Sequence, residues 1–480
     1  MAATPFLGSA YRSRSSNLAE QRAVNVYLEI VETKSGAEPG AFYGTPGKVL
    51  QVTCPNGGPI RGMHTYDSTY GNQAYVVSGN TVYLMNTMYG LTSLGTIASS
   101  TGPLSIIDNG FQVALFDNVG NAYSISSGVL AHISLPFVGA GVGISQDDFG
   151  LLSQLNTFNI WQSDPGDLTI WEALNFDTAD GQPDDVVALG ELHRNMIVFK
   201  QNNTEVWVNA GTAGFAFQRL DGVYPNTGCV APYSVANVGE TLLWLSRNKQ
   251  GQGIVNLMNG YQPQRVSTHA IEFAIGQYAN ISDAIAFGYQ QEGHEFYELT
   301  FPTGNATWVL DLTAMAAAGY PVWHERGAFS NGQLSRDIAN CCVYFNGKML
   351  VGDYANGNIY SYDLGVYTDN GAPIKRLRSW RASPVDRTAP TRFNALEIMC
   401  QTGINVPVNL NPQGVLRWSD DGGQTWSYEK FCSLGQQGET GRRVRFNRLG
   451  STKRGQGLDR IFEFSTTDAV PVAWIGADLT

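Results

Sequence analysis

Residues 349–364 read Met-Leu-Val-Gly-Asp-Tyr-Ala-Asn-Gly-Asn-Ile-Tyr-Ser-Tyr-Asp-Leu, and the reading of this stretch decides the fold. β-rich runs flank Asn356-Gly357, a dipeptide suited to the positive φ angles of a type I′ turn. The expectation is a two-residue hairpin in which Tyr354 faces Ile359 and Val351 faces Tyr362. A lone hairpin is marginal in water because neither face is covered, so its recurrence is what matters. Similar units, each an apolar run, a polar turn and a second β-rich run, begin at Ala74, Val113, Phe149, Met196, Leu242, Phe296 and Met349. The successive intervals are 39, 36, 47, 46, 54 and 53 residues, bracketing the roughly 40 to 50 residues of a propeller blade. The pattern predicts an all-β chain built on a β-propeller of about six to eight blades. An irregular stack or a pair of sandwiches is the competing architecture, since short strands at regular spacing also mark those folds.

Composition agrees with a turn-rich β-protein. The 480 residues include 54 glycines, and charged residues make up only 15% of the chain, against roughly 25% in an average protein. A formal net charge of −11 argues against a protein that coats nucleic acid. That charge is unevenly placed. Residues 373–460 carry 15 Lys and Arg against 7 Asp and Glu, a net of +8, which leaves −19 for the remainder. Together with the prolines between Pro384 and Pro390, this shift sets a boundary near residue 373. The expected organisation is an N-terminal arm or strand over residues 1–50 and propeller blades over 51–372. Residues 373–480 form either a small β-domain or the closing blades. Within the first segment, 23–31 reads as a strand, either exposed or closing the fold against the C-terminal part. Helix signals are confined to 312–319, with Thr313 as cap and Gly319 as stop, and to a short turn at 270–275.

No run has the length of a membrane span, and the first residues lack a basic region followed by an apolar core. The expectation is no signal peptide, no membrane insertion and a cytosol-like compartment until the protein is used. The six cysteines show no metal-like spacing and read as reduced thiols.

Catalytic signatures are weak. Ser419-Asp-Asp421-Gly-Gly423-Gln-Thr425-Trp426 fits the Asp-box S-x-D-x-G-x-T-W, whose aspartate accepts turn amides and whose tryptophan packs beneath the hairpin. Such boxes recur in sialidase-like propellers, so a carbohydrate-active or glycan-binding propeller is the alternative reading; the single box favours a structural role. Asp177, Asp180, Asp184 and Asp185 cluster as an acid–base pair or a calcium site would, within a segment that has turn composition. The six histidines are scattered, and Gly139, Gly141 and Gly143 lack dinucleotide-loop spacing. No catalytic residue, cofactor or metal is expected, and the protein reads as a non-enzyme. Arg442, Arg443, Arg445, Arg448, Lys453 and Arg454 form a basic stretch in which Arg443 and Arg445 alternate with Val444 and Phe446. That alternation suits a strand facing solvent or a protein partner better than nucleic acid.

Several ordered segments resemble one family. They are Tyr11-Arg-Ser-Arg-Ser, Gln21-Arg-Ala-Val-Asn25-Val-Tyr27, Tyr43-Gly-Thr-Pro-Gly47, Asp180-Gly181 with Pro183-Asp184, and Glu205-Val-Trp207. Further on come Gly228-Cys229 with Ser234-Val235, Val266-Ser-Thr-His-Ala-Ile-Glu272, Gly352-Asp353, Gly357-Asn-Ile-Tyr360 and Tyr367-Thr-Asp-Asn-Gly371. The Asp-box with Arg448-Leu-Gly450 and Arg460-Ile-Phe462 is less specific. The chain thereby resembles the phage stabilisation proteins, the packaged-DNA stabilisation or tail accessory hub proteins of short-tailed bacteriophages. It departs from them at Leu28, where proline is expected, and over residues 57–143. The resemblance implies a virion tail protein assembled in the host cytoplasm. It implies a homohexameric ring below the head-to-tail adaptor, which retains packaged DNA and mounts tail needle, tailspike or fibre proteins. Double-stranded DNA would pass its channel without sequence-specific binding.

Overall fold

The computed structural model describes residues 2–16, 18–33, 38–66, 73–382, 390–452 and 460–480. Seven four-stranded antiparallel blades surround one axis. Five are separate sheets, and the other two are the four-strand ends of larger sheets. The first strands are Ile60–Thr65, Leu104–Asp108, Ala140–Gln146, Val186–Leu192, Ala236–Val238, Ile285–Gln291 and Ala339–Phe345. They pack side by side, and the last meets the first, so the ring closes. Closure depends on the N-terminal region. Gly47–Thr53 pairs antiparallel with Asn358–Asp363 and supplies the fourth strand of blade seven.

The sequence units recur as blades for a physical reason. Each unit start lies in the second strand of a blade, for example Val113 in Gln112–Asp117 and Leu242 in Thr241–Arg247. Those strands are paired on both edges and covered on both faces by neighbouring blades, so their apolar runs are nearly continuous.

The hairpin at 349–364 forms, but in a different register. Lys348–Asp353 pairs with Asn358–Asp363 so that Val351 faces Tyr360 and Gly352 faces Ile359. Tyr354 belongs to the loop, and neither Asn356 nor Gly357 has positive φ. The loop is four residues long because Asp353 accepts the Ala355 amide (2.8 Å) and Asn356 accepts the Asn358 amide (2.9 Å). Gly357 is needed for close approach instead. A Cβ there would lie 2.9 Å from the Cys54 carbonyl oxygen at the end of the closing strand.

Beyond the propeller stands a β-sandwich. One sheet orders Val444–Ser451, Arg392–Cys400, Ala473–Leu479, Gly40–Gly44 and Val26–Ile30, with Ala2–Ala3 also on the Ala473–Leu479 strand. The other orders Lys430–Ser433, Gln413–Ser419, Ile461–Thr466, Arg376–Arg381 and Ala23–Val24, then continues into blade six through Val322–Arg326. A single nine-stranded sheet therefore spans both units. The stretch read as one strand at 23–31 is broken at Asn25, whose φ is +52°, and its halves belong to opposite sheets of the sandwich. Asn25 fixes that switch through bonds to the Gly327 amide (3.0 Å) and to the Gly327 and Lys375 carbonyls (2.9 Å each). Leu28, where a proline was expected, is buried opposite Phe42. One apolar core runs from Trp380, Phe462 and Trp474 in the sandwich to Leu243, Tyr297 and Trp323 in blades five and six.

The two short helices are α1, His269–Ile275, and α2, Leu312–Ala318. Helix α2 ends at Gly319 with φ +76°, as expected, but its cap is Asp311 rather than Thr313. Asp311 accepts the Ala314 amide at 2.8 Å, while the Thr313 hydroxyl turns to the Gly293 carbonyl.

Candidate functional site: the ring closure, the axial channel and the sandwich edge

Sequence signals point to three places, and the fold adds two more. The Asp-box begins at the end of the sandwich strand Gln413–Ser419, and its Gly422, Gly423 and Trp426 line a cavity of about 680 Å³ shared with α1 and with Thr307 and Trp308 of blade six. Ser419 Oγ donates to Asp421 (2.7 Å) and accepts the Gly423 amide (2.8 Å), and Asp421 accepts the Thr425 amide (2.8 Å) and hydroxyl. These bonds, the Thr425 hydroxyl first, hold the Asp421 carboxyl down at about 2. Trp426 lies against the guanidinium of Arg417, 4.5 Å from ring centre to carbon. The motif's polar atoms are directed to one another, which is the bonding of a turn.

The acidic segment is likewise tied down. Lys200, fully buried, donates to the carbonyls of Ala179 and Gln182 and lies 3.2 Å from Glu205. Glu205 in turn accepts the Trp207 indole N–H at 3.1 Å. Asp180 meets Arg219 (3.2 Å), Asp184 accepts the Asn202 amide (2.6 Å), and Asp185 accepts from Gln201. Asp177, the fourth, is exposed on the strand Phe176–Thr178. Among the described residues no group of three or more His, Cys, Asp and Glu side chains is placed to hold a metal ion.

Of the basic stretch, Arg445 and Arg448 lie on the sandwich edge strand Val444–Ser451, and Arg442 and Arg443 lead into it. Val444 and Phe446 are buried, while the Arg443 side chain is 64% exposed and the Arg445 side chain 34%. Glu397 on the neighbouring strand takes both. Arg443 bonds it in a fork at 2.7 and 2.5 Å, and Arg445 reaches it at 3.4 Å. Arg442 meets Glu439 at 3.2 Å, and Arg448 has φ +58°. Lys453 and Arg454 lie outside the described residues.

What the sequence did not signal is a buried ionic network at the ring closure. Lys48, on the closing strand, lies 2.9 Å from Asp337 and 3.1 Å from Asp369. Arg326 of blade six reaches Asp337 at 3.2 Å and Glu298 at 3.3 Å, accepts nothing, donates to Tyr289 OH at 2.9 Å, and lies 4.2 Å from the Tyr362 ring centre. Burial opposes ionisation of Asp337, but Lys48 and Arg326 outweigh it and hold its carboxyl at about 2. Burial dominates at Glu298 and pushes it up to about 7. Blades six and seven and the closing strand thus share one electrostatic knot. Its members lie up to 321 residues apart, so no local pattern reveals them.

A cavity of about 690 Å³ follows the propeller axis and is lined by first-strand residues of every blade, from Met63 and Ile106 to Ile144, Leu189, Asn237, Phe287 and Cys342. His64 and Asp108 bridge two of these strands at 2.5 Å. Gly143, from the glycine cluster, lies here because a Cβ would come within 2.7 Å of the Phe116 ring. Such a volume is that of a small-molecule cleft.

A seven-bladed propeller sharing a sheet and a core with a sandwich, its motif side chains spent on internal bonds, has the make-up of a structural scaffold. Residues 3–366 match the family model described as bacteriophage P22 Gp10, beta-propeller, and residues 384–480 the model described as bacteriophage P22 Gp10, beta-sandwich. The chain belongs to this family of bacteriophage structural proteins, tail-associated components of the virion. The division between the two matches differs from the spatial one, since Gly40–Gly44 and Val26–Ile30 lie in the sandwich. No curated protein matches the chain. Among solved structures, PorZ, a bacterial surface component of the type-IX secretion system of Porphyromonas gingivalis, aligns at 8% identity and a TM-score of 0.38. That alignment covers 74% of this chain and 44% of PorZ, so the chain spans less than half the length of that protein.

Proposed function

We propose that this chain is the subunit of a tail-hub ring that docks below the head-to-tail adaptor, helps retain packaged DNA and carries needle, tailspike or fibre proteins. The observation that carries this reading is the family match across both structural units. The shared nine-stranded sheet supports it mechanically, because a load on the sandwich passes into the propeller through backbone hydrogen bonds. Duplex DNA has no room in a propeller cavity of about 690 Å³. In this proposal its path is the bore enclosed by several subunits, as closed symmetry allows, with six as the expected number. A net charge of −11 suits a wall along which DNA slides. The edge strand bearing Arg445 and Arg448, with Arg442 and Arg443 leading into it, is the candidate protein contact. Glu397 already neutralises two of those arginines, and an edge strand retains unpaired backbone groups for a neighbour.

Size-exclusion chromatography with light scattering, on the protein alone and mixed with the adaptor protein of the same phage, tests this. A ring, or adaptor-dependent assembly of one, is expected. A species that stays monomeric and binds no tail protein overturns it.

A further inference from the structure

One end of the axial channel opens into a second cavity of about 520 Å³. The two share Arg61, Pro103, Pro232, Tyr233, Ile285 and Asn340, so they form one funnel. Most of the residues lining the mouth come from loops that either lead from one blade to the next or join the second and third strands of a blade. All of those loops lie on one face of the ring. Four prolines, Pro59, Pro103, Pro232 and Pro302, form its rim. Proline has no N–H and a fixed φ, so the rim is stiff and presents apolar surface without competing donors.

Among these prolines are polar groups that the protein leaves unspent. Arg336 stacks on Tyr354, its guanidinium carbon 3.5 Å from the ring centre, and forms no ion pair among the described residues. Stacking fixes the plane of the guanidinium and leaves its N–H edge for an incoming acceptor. The Tyr233 hydroxyl likewise makes no hydrogen bond among the described residues. Arg61, at the base of the mouth, is different, since carbonyls of Gly102, Gly79, Ser99 and Thr101 take its donors at 2.7–2.9 Å. Its positive charge is still not ion-paired among the described residues.

We infer that this mouth is a docking site for an extended peptide segment carrying a carboxylate. A carboxylate matches the fork of Arg336 and accepts from the Tyr233 hydroxyl. The prolines and Tyr354 cover the apolar faces of the segment, as aromatic-lined grooves do for extended chains. Every contributing residue comes from one chain, so the site is present whether or not a ring forms in solution.

The test uses the full-length protein and an array of seven-residue peptides with randomised flanks and Glu, Gln or Lys at the centre, with single-stranded oligonucleotides as a further arm. Selective retention of Glu peptides, at least tenfold over their Gln counterparts, is expected. Arg336→Gln abolishes that preference, Tyr233→Phe and Tyr354→Ala each weaken retention several-fold, and Arg194→Gln, an exposed site on the opposite face of the ring, changes nothing. Near-ultraviolet circular dichroism checks that each variant is folded, and the Tyr233 and Tyr354 variants still read the site should Arg336→Gln misfold. Equal retention of Glu and Gln peptides, no retention above the blank, indifference to all three mouth substitutions, or capture of the oligonucleotides in place of peptide overturns the proposal.

Discussion

Lys48 illustrates how much one side chain decides in this fold. It sits between Asp337 and Asp369 with 1% of its side chain exposed, so its removal takes the cation from Asp369 and leaves Asp337 with Arg326 alone. Lys48→Met is expected to cost about 3–5 kcal/mol, the usual penalty for breaking a buried pair by removing one member. Denaturant unfolding followed by tryptophan fluorescence reads this directly. Glu298 sets a pH dependence of opposite sense to that of Asp337. Its carboxyl is raised in the folded chain, so its contribution is fully present below about 4.3, the unfolded value, and is lost as pH rises through about 7. Asp337 is depressed, so its contribution is present above about 3.9 and is lost as pH falls towards about 2. In Glu298→Gln the decline in stability between pH 4.3 and 7 should therefore shrink, as denaturation midpoints at several pH values would show. Asp421 belongs with Asp337 in direction. Replacing it by Ala should speed amide exchange at Thr425 at neutral pH and leave the distant blades unaffected.

Among the elements, Gly47–Thr53 has the largest leverage because it completes blade seven and so closes the ring. Gly47 opens that strand, where a Cβ would lie 2.3 Å from the Val366 carbonyl oxygen and 2.6 Å from that of Thr368. Both obstacles are backbone, so Gly47→Ala must displace the strand or the 366–368 loop. A loss of about 1–3 kcal/mol is expected, in the range of other overpacking substitutions. Faster hydrogen exchange along Asn358–Asp363 would locate the damage, and an unchanged exchange pattern there would show that the strand accommodates the methyl. Second strands were legible in sequence because burial on both faces leaves a continuous apolar run. Fourth strands such as Leu91–Thr96 and Gln262–Arg265 were not, since they lie mostly exposed at the rim. The hairpin at 349–364 was found with its pairing displaced, because Asp353 and Asn356 stabilise a longer loop than Asn-Gly alone suggests.

At the scale of the whole molecule, the propeller and sandwich have one continuous core. Truncation after residue 382 removes the strands Arg392–Cys400, Gln413–Ser419, Ile461–Thr466 and Ala473–Leu479. Phe6, Phe42 and Trp380 would lose much of their cover, so the shortened chain should aggregate rather than elute as a free propeller. Recovery of a soluble, cooperatively melting propeller from that truncation would show that the shared core is dispensable.

The hairpin at 349–364 and its six relatives were enough to define the blades, because blade formation depends on local patterns of apolar runs and turns. The low charge, the paucity of helix and the family resemblance are also properties of the chain read in order. How the ring is closed was decided only in three dimensions, by Lys48 reaching carboxylates some 300 residues away and by Gly47–Thr53 completing a blade made from the other end of the propeller. Tertiary structure also decided that Asn25 divides a strand between two sheets and that Tyr354, Arg336 and Tyr233 meet at one mouth. Contacts of that kind are set by the rotation from blade to blade, which brings distant loops together and leaves no periodic trace in the sequence.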